Sequence, residues 1–230
     1  MSYLADSAAV AVGLVTSLDP DVWDAVRTSV GVSVVSIGLA TVLAVPIGTA
    51  IGLGEFPLKR GAVTVVNTLT ALPTVVVGLV VYGLLSRQGP LGEFGLLFTP
   101  WGMIIGQTVL AVPIVAHYAM NTVTAANPAI MQTAMTLGAG RVQAAWQLLS
   151  EVRFGIMAAV IAGFGRVIAE VGVAMMLGGN IKGYTRTMTT AIALETSKGE
   201  FAFGLALGMV LMAVALVVNL LLNFFQQRQP

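Results

Sequence analysis

The sequence predicts an all-α integral membrane protein with five transmembrane helices and a short N-terminal interfacial helix. Three observations carry that expectation. Mean hydropathy is +0.93. Of the 230 residues, 57% are hydrophobic and 9% charged, a balance foreign to soluble domains. Uncharged runs of 26 and 27 residues recur, and roughly 20 residues of helix cross a bilayer.

The same composition narrows the function. A net charge of +1 disfavours a nucleic-acid binder. With no cysteine, thiol chemistry, disulfides and cysteine-ligated metals are excluded. His117 is the sole histidine, too few for a histidine-based metal or catalytic centre. No metal site and no catalytic residue set is expected.

Ser7 to Leu18 is an uncharged run of 12 residues, short of a span and without a basic leader before it. It reads as an interfacial helix, or one leaning on a neighbouring subunit. Asp19, Pro20, Asp21 and Asp24 form a polar break. Thr28 to Gly54 is the first span, with Pro46 as a kink and Gly48 and Gly52 as a close-approach pair. After the charged turn Glu55–Arg60, Gly61 to Ser86 is the second, with Pro73 in mid-span.

Arg87 to Pro100 reads as a Gly/Pro-rich loop ending at Trp101, an interfacial anchor. Trp101 to Val123 is the third span, with Gly102 and Gly106 as a small-residue pair, Pro113 as a kink, and His117 bonded to a neighbouring helix. Arg153 opens the fourth span, to Leu177. Gly178 to Glu200 is a polar, glycine- and threonine-rich loop. Phe201 to Gln227 is the last span. Basic residues divide five against five between the two sides, Arg166 aside, so charge does not set the orientation.

Three places carry candidate chemistry. The first is Asn127 to Glu151. Asn127 suits an N-cap and Pro128 the first turn, Ile130, Ala134 and Leu137 share a face, and Gly138 ends that helix. Val142, Ala145, Trp146 and Leu149 then recur at helical spacing, opposite Arg141, Gln143, Gln147 and Ser150. Two amphipathic helices around a glycine elbow suit docking, and an ordinary connector on the membrane surface would read the same way.

The second is Arg166 and Glu170, four residues apart on one helix face and deep in a span. Charges there are costly unless paired or in a wet cavity. They read as part of a translocation path or gate, or as a pair neutralised at a subunit interface. The third is Asn180, Lys182, Tyr184, Thr185, Arg186, Thr187, Thr189 and Thr190, a donor-rich set. Asn180, Lys182, Thr185 and Arg186 would offer an oxyanion contact at an external mouth. A solvated loop is the alternative.

The segment from Asn127 to Glu151 resembles the cytoplasmic coupling loop of ATP-binding-cassette importer permeases, whose motif reads Glu-Ala-Ala, three residues, Gly, nine residues, Ile-x-Leu-Pro. Gln132, Thr133 and Ala134 stand at the triplet, Gly138 at the glycine and Leu148 at the isoleucine. Gln132 replaces the glutamate and Glu151 the proline. Gly163 to Glu195 and Leu72 to Leu85 resemble the molybdate/tungstate branch, and the run from Asn180 to Ile192 is similar to the tungstate permeases. The resemblance spans about Val22 to Phe225.

The resemblance implies a type I importer permease fold, functional as a homodimer in a prokaryotic inner or plasma membrane. Its N-terminus would lie outside and its C-terminus in the cytoplasm. Two cytoplasmic ATPase subunits would contact Gln132, Thr133, Ala134, Gly138, Ala139 and Arg141. An extracytoplasmic tungstate-binding protein would deliver the anion. ATP and magnesium would sit on the ATPases, since this chain has no Walker-type phosphate loop and is not expected to bind a cofactor or to be an enzyme. Residues 1–24 would form the interfacial helix and break, 25–227 the permease domain with its coupling loop at 124–152, and 228–230 a tail. A permease for molybdate or another oxyanion, or a self-sufficient secondary transporter, are the alternatives.

Overall fold

A computed structural model describes residues 2–227; the expected tail at 228–230, with Arg228, lies outside them. All regular structure among the described residues is helical. Eleven α-helices follow in order: α1 Ser2–Thr16, α2 Pro20–Leu53, α3 Lys59–Thr70, α4 Thr74–Leu85, α5 Pro100–Ala125, α6 Pro128–Thr136, α7 Arg141–Glu151, α8 Arg153–Ile168, α9 Gly172–Gly178, α10 Met188–Lys198 and α11 Phe201–Gln226.

The polar break expected at Asp19–Asp24 is the first turn of α2, so the boundary placed at residue 24 falls inside a helix. Asp19 Oδ1 accepts from the amides of Asp21 at 3.0 Å and Val22 at 3.3 Å, and Pro20 occupies a position where its missing N–H costs nothing. The helix runs unbroken for 34 residues, with Pro46 inside it. Its glycines let it lie against α5: a Cβ on Gly48 would stand 2.5 Å from the Ala116 carbonyl oxygen, and one on Gly52 2.5 Å from Val123 Cγ2.

α5 is the central helix, packed against α2, α3, α4, α8 and α9. One buried cluster joins Val32, Val77, Met103, Ile104 and Leu177; a second joins Ile37, Val66, Ala111, Val115 and Val167. α1 leans on α11 of its own chain, with Ala11 fully buried.

Three helices are individually long and apolar enough to cross a bilayer: α2, α5 and α11. The number reaches five if each bent pair, α3–α4 and α7–α8, is one span. The second expected span is broken: α3 and α4 meet at 97° across Ala71–Pro73. Pro73 withholds an amide proton and disfavours helix at Leu72. It therefore starts α4 instead of bending one continuous helix.

The fourth expected span also breaks, at Ala169–Val171, between α8 and α9. The segment read as a polar loop after Gly178 contains α10, because Thr187 caps it, its Oγ1 accepting from the Thr190 amide at 3.3 Å. Thr185, Thr187, Thr189 and Thr190 are all buried. Two residues separate α5 from α6, and Val152 alone separates α7 from α8.

Candidate functional site

The hairpin α6–α7 forms as its sequence signals indicate. Asn127 Oδ1 accepts from the Ala129 amide at 2.9 Å. At the far end Gly138 takes φ +91°, the Gly138 amide bonds to the Met135 carbonyl and the Ala139 amide to the Ala134 carbonyl, each at 3.0 Å. That pair of bonds satisfies the last carbonyls of α6 and needs the left-handed residue a glycine supplies. Gln143 Oε1 accepts from the Gly140 amide at 2.9 Å and opens α7.

The apolar face of α7 is only partly covered by the chain. Ala144 and Leu148 are its buried residues, while Val142 is 84% and Trp146 72% exposed. Leu137 is also 84% exposed. Gln132, Thr133, Gly138 and Arg141 are exposed, with Ala134 and Ala139 half-buried. The hairpin tip is thus a rigid turn that carries three uncovered apolar side chains among polar ones, which suits a protein surface as partner.

Arg166 and Glu170 meet as their spacing requires. Arg166 Nη1 donates to Glu170 Oε2 at 2.8 Å, with the arginine side chain 45% exposed and the glutamate 3%. The other carboxylate oxygen, Oε1, accepts from the amides of Gly172 at 2.9 Å and Val173 at 3.3 Å. The Glu170 carbonyl accepts from Thr189 Oγ1 at 2.8 Å. Glu170 therefore caps α9 and bridges the break, a role that ion-pair spacing alone did not reveal. An acidic residue two positions before a Gly-initiated helix was the available signal.

The donor-rich segment is largely satisfied from within. Lys182 pairs with Asp21 at 2.6 Å, and Arg186 with Glu195 at 3.5 Å, where Lys198 adds a second cation at 3.1 Å. Thr185 is fully buried and donates to the Gly178 carbonyl at 2.5 Å. Asn180 Oδ1 accepts from Thr190 Oγ1 at 2.9 Å. These bonds tie the turn before α10 to α2 and α9. The acidic partners Asp21 and Glu195 escaped the sequence reading because they are remote or sit on a helix it did not place.

His117 is bonded to its neighbours, as expected. Its Nδ1 lies 2.7 Å from Asn67 Oδ1 on α3, and its Nε2 3.0 Å from Asn121 Nδ2 one turn along α5.

With this geometry in hand, likeness to other proteins becomes informative. A family model described as the binding-protein-dependent transport system inner membrane component matches residues 44–229. The tungstate uptake system permease protein TupB of Campylobacter jejuni is 42% identical over 219 residues, covering 95% of this chain and 92% of the relative. The protein of the same name from Peptoclostridium acidaminophilum is 37% identical over 227 residues, 99% of this chain and all of the relative. The fold resembles a solved chain of the MetNI methionine ABC transporter with a TM-score of 0.71 at 19% identity, over 91% of this chain and 96% of that one.

Proposed function

The chain belongs to the binding-protein-dependent transport system inner membrane component family, and from that premise we propose that it is the membrane-spanning subunit of an ATP-driven tungstate importer. The anion follows from the names of the relatives at 37–42% identity over nearly the whole chain. The observation that carries the transport mechanism is the α6–α7 hairpin, a glycine-locked turn that presents Leu137, Val142 and Trp146 uncovered.

On this reading the hairpin faces the cytoplasm and docks on an ATPase subunit through Gln132, Thr133, Ala134, Gly138, Ala139 and Arg141 together with those three side chains. The N-terminus is then outside and the C-terminus inside a prokaryotic inner or plasma membrane. Two copies of the chain enclose the path, two ATPases hold the ATP and magnesium, and an extracytoplasmic binding protein delivers the anion. ATPase closure moves the hairpin, and the motion enters the membrane through α5 and α8, to which it is joined directly. Arg166, half exposed beside the break, is the cation the anion meets on its way. Asn180, Lys182, Thr185 and Arg186 hold the external turn in shape, and the already-paired Lys182 and Arg186 contribute positive potential near the mouth.

The test is reconstitution of the chain with its ATPase and binding protein in proteoliposomes. ATP-dependent tungstate uptake that exceeds molybdate uptake is expected. Uptake by the chain alone would overturn the coupling role, and preference for molybdate would overturn the anion assignment.

A further inference from the structure

Helix α3 presents an exposed polar stripe, with Asn67 bonded across to His117 of α5. Arg60, Thr64, Asn67 and Thr68 recur at helical spacing on one face, and all four are exposed. On the opposite side Val66 is the single buried residue. The stripe starts in the first turn of α3 and runs toward the 97° elbow. His117 lies eight residues from the end of the spanning helix α5, about 12 Å along it at the usual rise, and Asn67 of α3 is bonded to it. Exposed polar side chains at that depth do not face hydrocarbon; they face water or another chain.

The hydrogen bonds of the cluster leave donors free. A neutral His117 with its proton on Nδ1 donates to Asn67 Oδ1 and accepts at Nε2 from Asn121. Both N–H groups of the Asn67 amide, and one of Asn121, are then uncommitted. Thr64 and Thr68 donate to carbonyls of their own helix. The free donors carry no formal charge, so an anion would be stabilised there less strongly than by a cation. Weak, sequential contact is what passage requires, since a tight site would trap the ion.

We propose that the α3 stripe, with Asn67 and Asn121 as the donating amides and His117 as the residue that positions them, is a transit site for a tetrahedral oxyanion. It forms the half of the route between the hairpin end of the membrane and the elbow. The stripe runs from the exposed Arg60 toward the elbow, and Arg166, a half-exposed cation, stands beside the second break. This inference rests on the transport reading above, and it adds the wall the anion touches.

The chain has no cysteine, so an introduced thiol is unique within it. In nanodiscs holding the whole importer, Thr64→Cys, Asn67→Cys and Thr68→Cys would be treated with an anionic, water-soluble methanethiosulfonate. Val42→Cys and Met212→Cys, exposed on α2 and α11 at 72% and 74%, serve as lipid-facing controls. The stripe thiols are expected to react at least about tenfold faster than the controls, because only a hydrated thiol ionises and attacks. Sodium tungstate is expected to slow Thr64→Cys and Thr68→Cys labelling, in which both donating amides are kept, while sodium chloride of equal ionic strength leaves it unchanged. Labelling at the control rate, or disulfide formation between the two copies at these positions, would mean that a second chain covers the stripe and would overturn the proposal. Fast labelling without tungstate protection would overturn the anion contact. Wild-type uptake in the same preparation reports on the tungstate reading separately. If another oxyanion is carried, protection is repeated with that anion.

Discussion

The hydroxyl oxygen of Thr74 stands 3.2 Å from the point where a Cβ on Gly172 would lie. Thr74 opens α4 after the first elbow and Gly172 opens α9 after the second, so the two broken helices touch at their breaks. Val75 Cγ2 at 3.2 Å and Glu170 Oε1 at 3.3 Å border the same point.

Gly172→Val should therefore force the breaks apart. A branched side chain meets three neighbours closer than ordinary contact, and overpacking of this kind costs about 1–3 kcal/mol. The expected outcome is a lower melting temperature of the purified complex and slower uptake in proteoliposomes. Wild-type values for both would show that the contact has room to spare.

Glu170 holds Arg166 with one oxygen and the α9 amides with the other. Glu170→Gln keeps an acceptor for the amides and loses the charge; Glu170→Ala loses both and leaves buried N–H groups unsatisfied, about 1–3 kcal/mol more. Heat resistance of the complex should fall in the order wild type, Gln, Ala. Equal behaviour of the two variants would mean that capping contributes nothing.

At Gly138 the φ of +91° is the constraint, since a Cβ there would have open space around it. Gly138→Val should cost about 1–2 kcal/mol of backbone strain, and it should loosen the hairpin. ATP hydrolysis is expected to persist while tungstate uptake drops, and Gly138→Asn should retain more coupling because asparagine tolerates this conformation. Tightly coupled transport in the valine variant would refute the locked-turn account.

Gly48 and Gly38 lie on the same helix in opposite environments. A Cβ on Gly48 would stand 2.5 Å from the Ala116 carbonyl oxygen, whereas around Gly38 there is nothing within 4 Å. Gly48→Ala should lower the yield of folded protein and its melting temperature by the equivalent of about 1–3 kcal/mol. Gly38→Ala should leave both unchanged or raise them slightly, by up to about 1 kcal/mol of helix propensity. A measured reversal of the two would place the α2–α5 contact elsewhere.

How far the sequence foretold this structure depended on the range of the physics involved. Local signals were legible: the Asn127 cap, the Gly138 elbow, the Arg166–Glu170 spacing and the Gly48/Gly52 pair all act within a few residues or one helix face. What escaped was set by distant contacts. Hydropathy cannot separate one crossing helix from two meeting at 97°, because both halves are apolar. The threonines after Gly178 look solvated in sequence, yet Thr189 donates to the Glu170 carbonyl and Thr190 to Asn180. Asn67 was passed over because its partner is fifty positions away.

The joints at the base of the hairpin have a mechanical consequence. Two residues before α6 and one after α7 leave almost no slack, so a push at the tip cannot be absorbed where it arrives. In the proposed coupling role the hairpin would act as a stiff linkage, and its travel would reappear elsewhere in the chain. Within the membrane that travel would fall on the elbows at Ala71–Pro73 and Ala169–Val171, the two joints that also bear on each other. A displacement at one is transmitted to the other as a change in the gap between Thr74 and Gly172, a distance that a pair of spectroscopic labels could follow through a cycle of ATP binding and release.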